Sequence, residues 1–291
     1  MIGIDWGSSN CRAFRFSPDG AVAERRVSAC GIATLKPDAI EASLGEMIGD
    51  WLVQDREVLL AGMVGSRSGW VETPYLPSPV GPGALGAALV DVASDLGRCR
   101  IVPGVAWRGE DGQGDVMRGE ETQVFGSGRR DGGILLPGTH SKWVALCDGR
   151  ITRIRTAMTG ELFALLLQHS LIGQVAEARS TGNEAAFVRG VARSLADPAI
   201  SMTLFSARAE VLLGRLPRQD VSDTLSGLLI GAEVAAMAAG HRSLTIIGDG
   251  ALAARYRKAL ALAGIDDVTL IDGADAAARG LWRIGRMSDD A

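Results

Sequence analysis

Cysteine is scarce in this chain and never closely paired. Cys11, Cys30, Cys99 and Cys147 are the four in 291 residues, and no two form a CxxC spacing. That argues against a thiolate metal site or a disulfide framework and predicts reduced, mostly buried thiols. Lysine is scarcer still, three against 27 arginines, a bias that reflects coding composition and carries no stability argument. No basic block occurs and the formal charge is −4, which speaks against nucleic-acid or membrane-surface partners. No apolar run reaches secretory or membrane-spanning length, and the first residues already read as a strand, so a cytoplasmic protein is expected. What is present is ordinary for a globular protein, 47% hydrophobic and 22% charged residues. The length suits one large domain or two of about 150 residues each.

Two distant stretches follow one plan of strand, small polar loop, strand, Asp-Gly turn and strand. The first runs Ile2-Gly3-Ile4-Asp5-Trp6, then Gly7-Ser8-Ser9-Asn10, Cys11 to Phe16, the turn at Asp19-Gly20, and Ala21 to Ser28. The second runs Ile134-Leu135-Leu136-Pro137, then Gly138-Thr139-His140-Ser141, Lys142 to Cys147, the turn at Asp148-Gly149, and Arg150 to Ala157. Asp-Gly between apolar runs signals a hairpin, because both residues tolerate positive φ. A Gly followed by Ser or Thr exposes backbone N–H groups and hydroxyls, which is what a phosphate needs. Two such hairpins facing one another would grip a polyphosphate, which points to ATP.

Between the strand sets the spacing predicts a helix over 38–52, a buried strand over 57–61, and a long Gly/Pro-rich functional segment over 62–86. A strand over 100–105 follows, then a helix over 116–125 capped by Asp115. The second half predicts helices at 160–171, 183–196, 201–213, 220–239, 251–263 and 274–285, with parallel strands at 244–248 and 268–272. Phe163, Phe187 and Phe205 fall at helical core spacings. The pattern suggests two related α/β domains, 1–130 and 131–291, with a cleft between them and the last helix able to pack back on the first.

Asp5 ends a strand two residues before Gly7, where a carboxylate can hold a magnesium-bound water near a transferred phosphate. Ser8, Ser9 and Asn10 would hydrogen-bond the phosphates; His140 or Lys142 would neutralise their charge. The competing reading is a plain hairpin turn stabilised by its Asp. A hydroxyl attacking a γ-phosphate needs a carboxylate to take its proton. Asp115 is the first candidate, Asp111 the second, and Asp115 as a simple helix cap is the alternative. Arg118 could meet a substrate anion or pair with Glu120 and Glu121 instead. Residues 244–253 run a strand into Gly248-Asp249-Gly250 and a helix, which alone passes as a dinucleotide fingerprint of a nicotinamide-dependent oxidoreductase. Only 19 residues follow Asp272, too few for the rest of such a sheet. The same glycines can equally let an adenosine pack on bare backbone.

These loops resemble the actin-like ATPase superfamily of sugar kinases and chaperones. Gly62 to Glu72, Asp115 to Gln123, Leu136 to Trp143 and Met158 to Phe163 are similar to motifs of the 2-dehydro-3-deoxygalactonokinase family. The resemblance implies two actin-like (ribonuclease H-like) α/β domains with an interdomain ATP and substrate cleft. It also implies phosphorylation of 2-dehydro-3-deoxy-D-galactonate at its 6-hydroxyl, in galactonate catabolism, using ATP and Mg2+. Asp5 would organise magnesium, Gly7 to Asn10 and Gly138 to Ser141 would hold phosphates, and Gly248 to Gly250 would face adenosine. Pro137 stands where the superfamily often has an Asp, which moves the base upstream to Asp115. The substrate's carboxylate would meet Arg67, Arg118 or Lys142, with Trp70 packing on the sugar or anchoring its loop. The gluconate epimer is the alternative substrate, and the chain is expected to be a monomer or homodimer.

Overall fold

The structure, a computed structural model, describes residues 1–177 and 182–289. In chain order its elements begin with β1 (Ile2–Trp6), β2 (Cys11–Phe16), β3 (Val22–Ser28), α1 (Ile40–Ile48) and β4 (Glu57–Gly62). There follow β5 (Tyr75–Pro77), α2 (Pro82–Ala87), β6 (Val90–Val92), β7 (Arg98–Ile101), β8 (Gly104–Arg108), β9 (Gly114–Met117) and α3 (Glu120–Gly126). The second strand triplet is β10 (Gly132–Leu136), β11 (Ser141–Cys147) and β12 (Arg150–Ala157). The remainder is α4 (Thr159–His169), α5 (Glu184–Ala196), α6 (Ile200–Thr203), α7 (Ser206–Leu212), α8 (Val221–Met237), β13 (Ser243–Ile247), α9 (Gly250–Leu262), β14 (Asp267–Ile271) and α10 (Gly273–Asp289).

The chain forms two compact units, Met1–Ile134 with Val144–Arg155 and Ile271–Ala291, and Leu135–Trp143 with Thr156–Leu270. The first unit holds a six-stranded sheet ordered β3-β2-β1-β4-β7-β6. β1 runs antiparallel to β2 and parallel to β4, and β4 runs parallel to β7. A strand paired in parallel is covered on both faces, and all five residues of β1 are buried. Ile2, Ile4 and Trp6 on one face join Ile40, Leu44 and Ile48 of α1 in a single core. On the other face a Cβ at Gly3 would lie 3.2 Å from Leu281 of α10. α10 also packs on α2 and α3. Its contact with α3 is backbone on backbone: a Cβ at Gly280 would lie 1.7 Å from the Thr122 carbonyl oxygen, and one at Gly126 1.8 Å from that of Ala276.

A five-stranded sheet, β12-β11-β10-β13-β14, repeats the order of the first sheet's initial five strands. Asp148 and Gly149 take φ of 49° and 72°, the left-handed pair an Asp-Gly hairpin turn requires. In the second unit Phe187 and Val191 of α5 meet Ile230 and Val234 of α8 in a core shared with Leu135, Leu244 and Tyr256. The other side of α8, through Val221, Leu225, Leu228 and Leu229, builds a second cluster with Ile172, Val175 and Leu216. Apolar residues all around α8 thus match its double burial. No helix among the described residues is long and apolar enough to cross a membrane.

Four expectations are corrected. The segment 62–86 is not structureless, since it carries β5 and α2. Residues 100–105 split into β7 and β8 around Pro103, which has no N–H for a ladder. Residues 201–213 form two short helices, with Phe205 at their junction 55% exposed rather than in a core. The thiols are less buried than expected: Cys11 and Cys99 are buried, Cys30 is half-buried and Cys147, at the end of β11, is exposed, all four free.

Because no side chain separates α3 from α10, Gly280→Ala has nowhere to place its methyl. We expect a loss of about 2 kcal/mol or more, seen as a lower urea midpoint with an unchanged slope; an unchanged midpoint contradicts the backbone contact.

Candidate active site

In the first unit, Asp5 sits near the carboxyl end of β1 and is 8% exposed. The antiparallel register sets Arg12 opposite it, with Nη1 3.3 Å from Oδ2. Burial raises the Asp5 pKa; Arg12 opposes this, and the charge of Glu120 adds to the rise. The loop after β1 is tied by its main chain: Gly7 N–H donates to Asn10 O (2.9 Å), and Gly7 O and Ser8 O accept from Ile32 and Ala33. Ser8 and Ser9 stay exposed, and Asn10 is half-buried. No group of three or more His, Cys, Asp or Glu that could hold a metal occurs among the described residues. A lone hard carboxylate such as Asp5 still fits magnesium, which keeps most of its waters and takes few protein ligands.

β1 lies beside β4, whose last residue Gly62 pairs with Trp6. A Cβ on Gly119 would approach Gly62 Cα to 3.0 Å, and Gly119 has φ of 104°. This left-handed glycine separates β9 from α3, so no helix begins at Val116 and Asp115 caps none. Asp115 lies instead on β9 opposite Trp107, half-buried, with Oδ1 accepting from Val116 N–H at 2.8 Å. It lines a groove of about 470 Å³ with Ser78, Trp107 and Arg108. Asp111 is exposed and accepts from Gln113 N–H. Glu121 is fully buried, both its oxygens accept from Gly119 N–H at 2.8 Å, and burial together with Glu120 pushes its pKa up to about 8.

Arg118 meets Glu120 through its main chain, its N–H donating to Oε2 at 3.0 Å, and its charge opposes the rise in the Glu121 pKa. Its guanidinium donates to Thr73 O at 2.8 Å and to the Thr73 hydroxyl, and lies 4.3 Å over the Tyr75 ring. Trp70 is half-buried against the first unit's core, with its backbone N–H donating to Val64 O at 2.8 Å. Arg67 is exposed.

In the second unit, Gly138 is half-buried while Thr139 and His140 are exposed. The first turn of α4 is seated on this loop. Glu161 N–H donates to Thr139 O at 3.0 Å, His140 Nε2 is 2.6 Å from Glu161 Oε2, and a Cβ on Gly160 would meet Gly138 O at 2.6 Å. Ser141 is fully buried, its Oγ 2.8 Å from the Tyr256 hydroxyl. Strand alternation sends the buried Lys142 to the opposite face. Gly248 comes beside the same loop, a Cβ there lying 3.5 Å from Pro137. Asp249 and Gly250 are exposed at the start of α9. A cavity of about 480 Å³ opens next to Gly138, lined by Thr159, Gly160 and Phe163 of α4, Ser226 of α8, and Arg255 and Tyr256 of α9.

The model of the 2-keto-3-deoxy-galactonokinase family matches residues 5–284. The chain belongs to that family. The 2-dehydro-3-deoxygalactonokinase of Escherichia coli (strain K12) is 41% identical over 288 residues, covering 97% of this chain and 96% of that protein. A Rhizobium meliloti (strain 1021) protein named a probable 2-dehydro-3-deoxygalactonokinase is 37% identical, covering 96% of each. A crystal structure of a candidate 2-dehydro-3-deoxygalactonokinase from Sinorhizobium meliloti superposes with a TM-score of 0.90 at 34% identity, over 98% of both chains. The activator of the 2-hydroxyisocaproyl-CoA dehydratase of Clostridium difficile, with bound ADPNP, shares the fold alone (TM-score 0.54, 11% identity). The fold is thus the expected α/β actin-like one.

Several residues of this kinase-family chain escaped sequence reasoning. Glu120 and Glu121 entered only as possible partners of Arg118, yet one lies within electrostatic reach of Asp5 and the other is buried. Ser226 and Arg255 gave no motif and Phe163 read as core, because a cavity wall drawn from three helices has no common sequence spacing.

Glu121 sets a pH dependence. Its folded pKa lies above its unfolded value, so the unfolded state loses the proton first and stability falls as pH rises from about 4.5 to about 8, by up to about 1.4 kcal/mol per pH unit. Denaturation midpoints across that window should fall less steeply for Glu121→Gln. An equal slope removes Glu121 as the cause.

Proposed function

We propose that this chain transfers the γ-phosphoryl group of ATP to the 6-hydroxyl of 2-dehydro-3-deoxy-D-galactonate. The observation that carries the reading is a 41%-identical relative of that name matched end to end. Asp5 holds magnesium through water, which when bound offsets the negative charge of the phosphates. Ser8, Ser9 and Asn10 hydrogen-bond phosphate oxygens from one loop. Gly138, Thr139 and His140 do so from the other, with the N-terminal end of α4 adding positive potential. Ser141 acts through its backbone, since its hydroxyl bonds to Tyr256. The cavity beside Gly138 takes the adenosine, with Gly248 to Gly250 at its approach.

Asp115 accepts the proton of the attacking hydroxyl. Glu120 is the second reading for that base, favoured by its electrostatic coupling to Asp5. Arg67, Arg118 and Lys142 meet the sugar acid's carboxylate, and Trp70 covers the sugar. We assign the protein to the cytoplasm, where four free cysteines suit a reducing compartment.

A coupled ADP-release assay over several keto-deoxy sugar acids tests the reading. Turnover is expected with the galactonate acid; turnover confined to the gluconate epimer, or none with any, overturns it. Asp115→Asn should lower kcat by about 100-fold or more, while a near-normal kcat with a collapse in Glu120→Gln transfers the role. Arg118→Ala should raise the sugar-acid KM about tenfold or more. An unchanged KM would confine Arg118 to fastening Thr73 and Tyr75.

A further inference from the structure

Glu233, on α8, bonds three other elements at once, and the reaction outlined above has no use for it. It is 6% exposed. Its Oε1 accepts from Trp143 Nε1 at 2.7 Å, and its Oε2 accepts from the Tyr256 hydroxyl at 2.6 Å and from the Thr159 hydroxyl. The Tyr256 oxygen is also 2.8 Å from Ser141 Oγ. A phenol has one proton, and here it points at Glu233, so Ser141 must donate to Tyr256. The chain of bonds therefore runs one way, from Ser141 through Tyr256 into the carboxylate.

Each donor belongs to an element that shapes the Gly138 loop. Ser141 and Trp143 begin β11, the strand that leaves the loop. Thr159 opens α4, whose next residue, Gly160, is pressed against Gly138 and Thr139. Tyr256 and Thr159 both line the adjoining cavity. An amide in place of the carboxylate keeps the shape but exchanges one acceptor for an NH2 donor, so either the Trp143 N–H meets a donor or the Tyr256 and Thr159 hydroxyls must turn round to accept, and the present run of bonds is lost.

We propose that Glu233 is a positioning residue that holds the Gly138–His140 loop against the first turn of α4 in the geometry that receives nucleotide phosphates. The inference rests on the nucleotide reading of that loop. It makes nucleotide affinity, and not sugar-acid affinity, the quantity that Glu233 governs.

The test compares the full chain with Glu233→Gln, Tyr256→Phe and Val191→Ala, the last a core truncation on α5 outside the site. Titration calorimetry with ADP and magnesium gives Kd, steady-state assays give KM for ATP and for the sugar acid, and melting gives Tm. Glu233→Gln should raise the ADP Kd and the ATP KM about tenfold, the loss of one hydrogen bond to a charged group, with the sugar-acid KM within twofold. Tyr256→Phe should shift the same two constants in the same direction by a smaller factor. Val191→Ala should lower Tm and leave the ADP Kd unchanged. ADP affinity within twofold of wild type in the folded variants overturns the proposal, as does an equal loss of affinity in Val191→Ala. If Glu233→Gln does not fold, Tyr256→Phe decides alone. A wild-type chain that binds no ADP overturns the nucleotide reading itself, and this inference with it.

Discussion

A carboxyl group taken out of water must be met by donors or by positive charge, and this requirement ties together distant parts of each unit. Asp5, Glu121 and Glu233 are all buried, and burial raises the pKa of each. Asp5 is met by Arg12 across an antiparallel pair, Glu121 by the N–H of Gly119, and Glu233 by an indole and two hydroxyls. Losing one partner leaves a buried polar group unsatisfied in a medium of low polarity, which costs far more than a surface hydrogen bond. Each carboxylate therefore fixes the backbone around it: the carboxyl end of β1, the left-handed link between β9 and α3, and the base of the Gly138 loop.

The two strand triplets share an order but brace their loops differently. The loop after β1 is held by main-chain bonds from residues 32 and 33, which leaves the hydroxyls of Ser8 and Ser9 at the surface. The loop after β10 is held by α4 from one side and through Ser141 and Tyr256 from the other. The first offers side chains, whereas the second offers backbone and a helix start. Arg118 shows a third use of a polar group, since its guanidinium fastens Thr73 and stacks on Tyr75 within the small β5-β8-β9 sheet.

Legibility followed the range of the interactions involved. β1 to β3 and β10 to β12 were readable because a hairpin is specified by neighbours in sequence, an Asp-Gly turn between apolar runs. α8 and the strands flanking α9 were readable for the same reason, their apolar periodicity being local. The start of α3 was misread because Asp115 has the composition of a cap, while the chain turns at Gly119 under contact with Gly62, 57 residues earlier in sequence. Phe205 was misread because periodicity says that a face is apolar and not that anything covers it.

The order of residues by itself determined the repeated hairpins, the two small-residue loops that end their first strands, and membership of a kinase family, one of whose motifs includes the second of those loops. All of these depend on contacts within some twenty residues, where spacing and backbone freedom suffice. Tertiary structure alone decided that Ser141 turns inward, that Asp115 sits on a strand, that Glu120 comes near Asp5, and that Glu233 gathers three elements. Those outcomes require groups up to 115 residues apart to compete for the same buried donors and acceptors, and no local pattern encodes which pair wins.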